Sequence, residues 1–258
     1  MSEGSLVVVG AGIKLVSHAS RETTAVIEEA EKVLYLLADP VSKLWIKKLN
    51  NTAESLHSCY KQSKPRIQAY KCMVDRILNY VRKNLNVCVV FYGHPGVFVN
   101  PSHEAIRLAR LEGYHADMLP AISAEDCLFA DLGIDPGKSG CQSFEATDFL
   151  VYKRRFDPSS SLILWQIGVI GELGFKRDMA YNLSGLYVLV EYLGEFYDLE
   201  HEMVVYEAAV YPFCEPDIQH VTLGKLTSAR ISQISTLYVP PKVSLLDSNM
   251  LIRLNLKS

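Results

Sequence analysis

The sequence predicts an α/β fold arranged as two domains, and three observations carry that prediction. Short runs rich in Val, Leu, Tyr and Phe alternate with segments of helical period, the pattern of strands joined by crossover helices. The alternation loses its regularity after Pro120, which sets a boundary between domains of residues 1–119 and 120–258. A chain of 258 residues has the length of one large or two modest domains.

Strands are expected at residues 6–9, 33–37, 87–92 and 115–119. Ser20 caps a helix over 22–30, a second helix over 70–82 puts Met73, Ile77, Leu78 and Val81 on one face, and Pro101 with Ser102 opens a third over 103–111. Beyond Pro120 the pattern gives a helix near 124–131, a Gly/Pro/Ser loop over 133–140 and strands at 162–167 and 202–207. A helix over 183–196 and closing strands at 221–223 and 237–239 complete the chain before Pro240-Pro241.

Composition narrows the function classes. Apolar residues at 49% and charged residues at 21% describe an ordinary folded protein and exclude disorder and fibrous repeats. Lys+Arg 26 against Asp+Glu 29 leaves a net charge of −3 with no basic block, so neither nucleic acid nor an anionic membrane is an expected partner. No apolar run approaches the ~20 residues of a membrane-spanning helix. The chain start lacks the basic-then-apolar pattern of a secretion signal, so a cytoplasmic location is expected. Cys59, Cys72, Cys88, Cys127, Cys141 and Cys214 contain no C-x-x-C pair and are expected to be reduced, buried thiols, with neither a zinc site nor a disulfide framework.

Gly10-Ala11-Gly12 follows the first strand, but Leu15 stands where a dinucleotide fingerprint needs its third glycine. Two explanations remain for these glycines: a tight strand exit, or the close approach of a cofactor or substrate to the backbone. The loop Tyr92-Gly93-His94-Pro95-Gly96-Val97-Phe98 is more informative because it leaves a strand and leads to a helix start at Pro101-Ser102. In open α/β sheets ligands collect at such carboxyl ends, so Tyr92, His94, Val97 and Phe98 are expected to line a pocket. The other histidines are dispersed, and no metal is expected at His94.

Gly10-Ala11-Gly12, the Tyr92-to-Phe98 loop, Pro120-Ala121-Ile122-Ser123-Ala124-Glu125 and Thr236-Leu237-Tyr238-Val239 occur in the order found in the tetrapyrrole methylases. The chain resembles that family over nearly its whole length. Where the family usually carries Gly-Asp-Pro this chain has Gly93-His94-Pro95, a departure that counts against a porphyrin or corrin substrate. That variant, with Asp131-Leu132-Gly133-Ile134-Asp135-Pro136-Gly137 and Gln142-Ser143-Phe144-Glu145-Ala146, resembles the peptide backbone N-methyltransferases that make borosin natural products.

The resemblance implies two α/β domains with S-adenosylmethionine in the cleft between them, S-adenosylhomocysteine as product, and a homodimer. It carries cofactor contacts to Tyr92, His94, Val97 and Phe98, to Ser123 and Ala124, to Gln166, and to Tyr206, Ala208 and Thr236. It implies a tyrosine, arginine, tyrosine set beside the substrate, matched by Tyr60, Arg66 and Tyr70, with Tyr92 facing them as a fourth catalytic residue. Fused relatives modify their own C-terminal extension. This chain stops at Ser258, so the expected partner is a precursor peptide on a separate chain, joined to the homodimer as a heterotetramer.

The chemistry asked of such residues is demanding. An amide nitrogen's lone pair is delocalised into the carbonyl, so methylation requires loss of the N–H proton. Tyrosine titrates near ~10 and needs a nearby cation to serve as base, and Arg66 is the expected cation. By analogy Tyr70 is the base, and Arg66 also stabilises charge developing on the substrate carbonyl oxygen. Two other classes stay open: C-methylation of a tetrapyrrole precursor, and a cofactor-binding protein that holds a peptide without modifying it.

Overall fold

The computed structural model describes residues 4–14, 16–37, 39–60, 65–172, 181–243 and 246–256. They form two units, each built on its own five-stranded sheet. The first holds the described residues up to Ile134 and Ala208–Asp217, so the expected boundary at Pro120 falls inside it. No helix among the described residues is long and apolar enough to cross a membrane.

In the first unit β1 (Ser5–Gly10), α1 (Arg21–Glu29), β2 (Lys32–Leu36), α2 (Pro40–Leu49) and β3 (Glu54–Ser55) are followed by a 3-10 turn at Leu56–Cys59. Then come α3 (Arg66–Val81), β4 (Asn86–Phe91), α4 (Asn100–Leu111), β5 (His115–Met118) and α5 (Ala124–Leu132). The strands lie in the order β3-β2-β4-β1-β5, and the pairs β1/β4, β1/β5, β2/β3 and β2/β4 are all parallel. Strand β4 shows why this sheet is two-sided: Val87, Val89 and Phe91 join one core cluster, Cys88 and Val90 the other. Helices α3 and α4 cover the first face through Met73, Ile77, Ala105 and Ile106, and α1 and α2 cover the second through Ile27 and Ile46. Burying side chains such as Met73 and Ile77 completely stabilises the unit by roughly 1.5–3 kcal/mol each.

Local signals explain the helix starts. Ser20 accepts from the Thr23 N–H at 3.0 Å and opens α1, and Asp39 accepts from the Ser42 N–H at 2.7 Å and opens α2 just before Pro40. Helix α3 begins four residues before the expected start, because Pro65 fixes φ at −56° immediately ahead of it and Arg66 becomes its first residue.

The second unit carries α6 (Pro136–Ser139), β6 (Cys141–Glu145), α7 (Ala146–Val151), β7 (Ser161–Trp165), a 3-10 turn at Ile167–Val169, and α8 (Leu183–Gly194). It ends with β8 (Glu202–Glu207), β9 (Asp217–Thr222), a 3-10 turn at Leu223–Ser228, β10 (Thr236–Val239) and α9 (Ser248–Arg253). Its order is β6-β7-β10-β8-β9, with β6/β7 parallel and β10 antiparallel to both neighbours. Phe149, with Phe144, Phe156 and Tyr192 around it at ring separations of 5.4–5.6 Å, anchors the core beneath α8. No strand is expected at β6, whose half-buried polar residues hide the strand period, and the strand expected at 221–223 falls at the end of β9, which closes at Thr222.

One cysteine expectation fails. Cys59 and Cys72 form a disulfide with Cα atoms 5.6 Å apart, because the 3-10 turn packs against α3. Cys88 and Cys127 are buried free thiols, Cys141 is half-buried and Cys214 is exposed.

Candidate active site

The loops that matter in the first unit gather at the carboxyl edge of its sheet. From β1 the chain crosses over β4 to reach β2, and from β4 it crosses over β1 to reach β5, with the connecting helices on opposite faces. The two exits therefore pass over one another, and such a switch point is where open α/β sheets hold ligands. Gly12 and Gly93 make the crossing: each donates its N–H to the other's carbonyl, at 3.3 and 3.0 Å, and each has a φ near +70°. A Cβ on Gly10 would lie 2.1 Å from the Gly93 carbonyl oxygen and 2.6 Å from the Ala121 side chain. The crowding partner of Gly10 is the Gly93 backbone, and that of Gly12 is the His18 side chain, whose Cβ would lie 2.2 Å from a Cβ placed there.

Beyond the crossing, the loop after β4 is clasped by its own histidines. The Gly96 N–H donates to His94 Nδ1 at 2.9 Å, Val97 N–H donates to the His94 carbonyl at 3.2 Å, and His103 Nε2 bonds the Gly96 carbonyl at 2.8 Å. Phe98 is held at a φ of +55°, a left-handed conformation unusual for an aromatic residue. The outcome is an apolar surface on an ordered frame: Tyr92, Val97 and Phe98 are 43%, 37% and 54% exposed. Ser123 is buried and occupied by a capping box, its hydroxyl donating to Asp126 at 2.7 Å and accepting the Asp126 N–H, so Ala124 starts α5 as the accessible member of that pair.

Tyr60, Arg66 and Tyr70 come together. Tyr60 ends the 3-10 turn, its N–H donating to the His57 carbonyl at 3.0 Å, while Arg66 and Tyr70 stand one turn apart on α3. Both tyrosines pack partly buried against the first core. Burial, and then the neighbouring Tyr70, push the Tyr60 phenol up to about 12; Arg66 pulls it down but is outweighed. The Tyr92 phenol is also pushed up to about 12, by burial first and then by Cys127 and Asp39. The two phenols thus stay protonated at neutral pH and are hydrogen-bond donors.

In the second unit Gln166, Tyr206 and Thr236 share one end of the sheet, since β10 runs antiparallel to β7 and β8 and Thr236 pairs with Tyr206. Tyr206 is 1% exposed and Thr236 is also buried, so the half-buried Gln166, held at φ +59°, is the presented side chain. Ala208 lies just past β8, in the part of the chain that belongs to the first unit. Two acidic residues escaped the sequence reading. Asp39 acts on Tyr92, and its signal was an Asp-Pro cap directly after a strand. Glu207 accepts from the Ser232 hydroxyl at 2.5 Å and from Ser235, and nothing in the local sequence marks it.

The chain is 46% identical over 243 residues to a methyltransferase/ribosomally synthesized cyclic peptide gymnopeptides precursor of Gymnopus fusipes, covering 93% of this chain and 58% of that protein. It is 44% identical to a type I borosin cyclic peptide precursor methyltransferase of Coprinopsis marcescibilis (93% and 62% covered) and 42% to the omphalotin A precursor methyltransferase of Omphalotus olearius (93% and 58%). The chain therefore spans about three-fifths of the length of these relatives. A uroporphyrin-III-C-methyltransferase from Thermus thermophilus shares the fold at a TM-score of 0.65 with 18% identity, covering 92% of each chain. A family model for tetrapyrrole (corrin/porphyrin) methylases matches residues 5–227, and the chain belongs to that family.

Proposed function

We propose that this chain is an S-adenosylmethionine-dependent methyltransferase that N-methylates backbone amides of a precursor peptide, and that residues 1–258 act on a peptide presented as a separate chain. The observation that carries the reading is the set formed by Tyr60, Arg66 and Tyr70 at the carboxyl edge of the first sheet, one loop away from the exposed Tyr92, Val97 and Phe98. The relatives named as peptide precursor methyltransferases support the peptide as substrate. A homodimer, joined by precursor chains as a heterotetramer, belongs to the same proposal.

The residues fit the cofactor. Tyr92, Val97 and Phe98 offer an apolar and aromatic surface for an adenine and a methionine chain, with His94 holding the loop in shape. Ser123 keeps the start of α5 in place ahead of Ala124, while Gln166, Tyr206, Ala208 and Thr236 are the contacts that the family resemblance carries. When bound, S-adenosylmethionine supplies an electrophilic methyl group and leaves as S-adenosylhomocysteine. Tyr70 removes the amide proton. Arg66, a guanidinium that stays charged, stabilises the negative charge that moves to the carbonyl oxygen as the N–H is lost. Tyr60 and Tyr92, whose phenols stay protonated at neutral pH, donate hydrogen bonds to that same oxygen and so favour the imidate form.

The test is to incubate the chain with S-adenosylmethionine and a synthetic peptide rich in Val and Ile, then locate added methyl groups by fragmentation mass spectrometry. Methyl groups on backbone nitrogens of the added peptide are expected. Tight cofactor binding without modification of any peptide, or methylation of a tetrapyrrole carbon instead, would overturn the reading.

A further inference from the structure

The Cys59–Cys72 disulfide closes a stretch of chain that contains Tyr60, Arg66 and Tyr70. Cys59 is buried and immediately precedes Tyr60. Cys72 is exposed and sits on α3, two residues past Tyr70. The link therefore ties the support of one tyrosine directly to the helix that carries the other tyrosine and the arginine.

It is the top rung of a ladder down one side of α3. Cys72, Arg76 and Tyr80 recur every four residues and so share a helix face. Arg76 donates to Ser58 Oγ at 2.7 Å and pairs with Glu54 at 2.5 Å, and Tyr80 OH donates to the other Glu54 oxygen at 2.7 Å. Lys32 closes the far side of Glu54 at 2.8 Å. The lower rungs are polar and do not depend on redox state, so α3 stays docked when the disulfide opens. The rung that a change of redox state removes is the one beside Tyr60.

We infer that Cys59 and Cys72 are a positioning pair: their disulfide fixes the spacing between Tyr60 and the Arg66/Tyr70 turn, and methyl transfer is fastest when it is formed. This rests on the methyltransferase reading above. The bond forms by exchange with an oxidised low-molecular-weight disulfide. The two thiols give up two protons and two electrons, the Cys59–Cys72 S–S bond forms, the S–S bond of the oxidant breaks, and two molecules of its thiol are released. A dithiol reverses the step, entering at the exposed Cys72 sulfur.

The experiment compares the full chain after treatment with oxidised glutathione or dithiothreitol with a Cys59→Ser, Cys72→Ser double variant. Non-reducing peptide mapping is expected to recover the 59–72 cross-link from the oxidised chain alone. Reduction is expected to lower kcat by about tenfold to a hundredfold, since misplacement of a catalytic group by about 1 Å can cost about a hundredfold. The S-adenosylmethionine dissociation constant should stay the same and the rate should return on reoxidation. The double variant should be slow and indifferent to redox state, which separates this pair from Cys88, Cys127, Cys141 and Cys214. Equal kcat in both redox states, or recovery of both cysteines as free thiols after oxidation, would overturn the inference. Should no form transfer methyl, the activity reading fails, and amide exchange over residues 56–72 still decides the pair: faster exchange on reduction supports the tie, unchanged exchange removes it. If the double variant does not fold, the reduced natural chain, with its melting temperature checked, supplies the same comparison.

Discussion

Tyr60 and Tyr92 are both phenols lifted to about 12 by burial, yet they leave the first sheet from very different strands. Tyr92 follows β4, which lies between β2 and β1 and is packed on both faces, and its loop is crossed and bonded by main chain at Gly12. Tyr60 follows β3, a two-residue strand at the sheet edge, and is held by side chains: a disulfide, an arginine and a tyrosine reaching from α3. Main-chain crossings tolerate almost no change, whereas side-chain ties can be exchanged one at a time. The floor of the site is thus fixed by the fold, and the wall proposed to meet the substrate is adjustable.

The largest effects should test the adjustable wall through chemistry. Arg66→Ala and Tyr70→Phe are expected to lower methyl transfer by 10²–10⁴-fold, the usual contribution of an acid–base group, while isothermal titration shows cofactor binding within about threefold of the unaltered chain. Retained turnover in both would remove the proposed roles. Next, Gly10→Ala should break the floor: its Cβ has no room beside the Gly93 carbonyl, and a loss of about 3 kcal/mol is expected in urea unfolding. An unchanged midpoint would show that the crossing can relax.

Alkaline titration compares the two regions directly. The thiol of Cys88, on the central strand, and the phenols of Tyr60 and Tyr92 are all raised in the folded chain, Cys88 from 9.0 to about 12. Their contributions are complete below the unfolded values, and stability is lost as pH rises from about 9 towards about 12. A melting temperature falling by several degrees across that window is expected. Cys88→Ala should flatten its lower part and Tyr60→Phe its upper part, and a flat profile in the unaltered chain would contradict both. A smaller effect belongs to Arg76→Ala, which removes the Ser58 and Glu54 contacts and should lower stability by about 1 kcal/mol in the same unfolding assay. Smallest, Gly194→Ala at the end of α8 meets open space and should raise stability by roughly 0.5–1 kcal/mol through helix propensity.

Much of the scaffold is readable from residue order. The Val-rich runs of β1 and β4 and the apolar stripe of α3 leave little choice of element type, because their periods are long enough to separate strand from helix. Strand order is not readable in the same way, since the crossing of the β1 and β4 exits depends on which face each connecting helix covers. The start of α3 was legible in Pro65 and was placed one turn late at Tyr70; the correct start is what sets Arg66 and Tyr70 one above the other. The Cys59–Cys72 pair carries no spacing signal, because the contact that makes it is tertiary. Nor does the sequence disclose that burial outweighs Arg66 at Tyr60: the residue types give the sign of each influence, but the depth of the ring decides the sum.

The small residues after β1 have a wider meaning for how such chains are recognised. Gly10 is required because the Gly93 main chain passes within touching distance of it, and Gly12 because its backbone is left-handed and His18 lies against it. A descendant that lost all chemistry would still need both, as long as it kept the same winding. The motif is therefore a mark of topology, and sharing it speaks for a common winding of the chain before it speaks for a common activity.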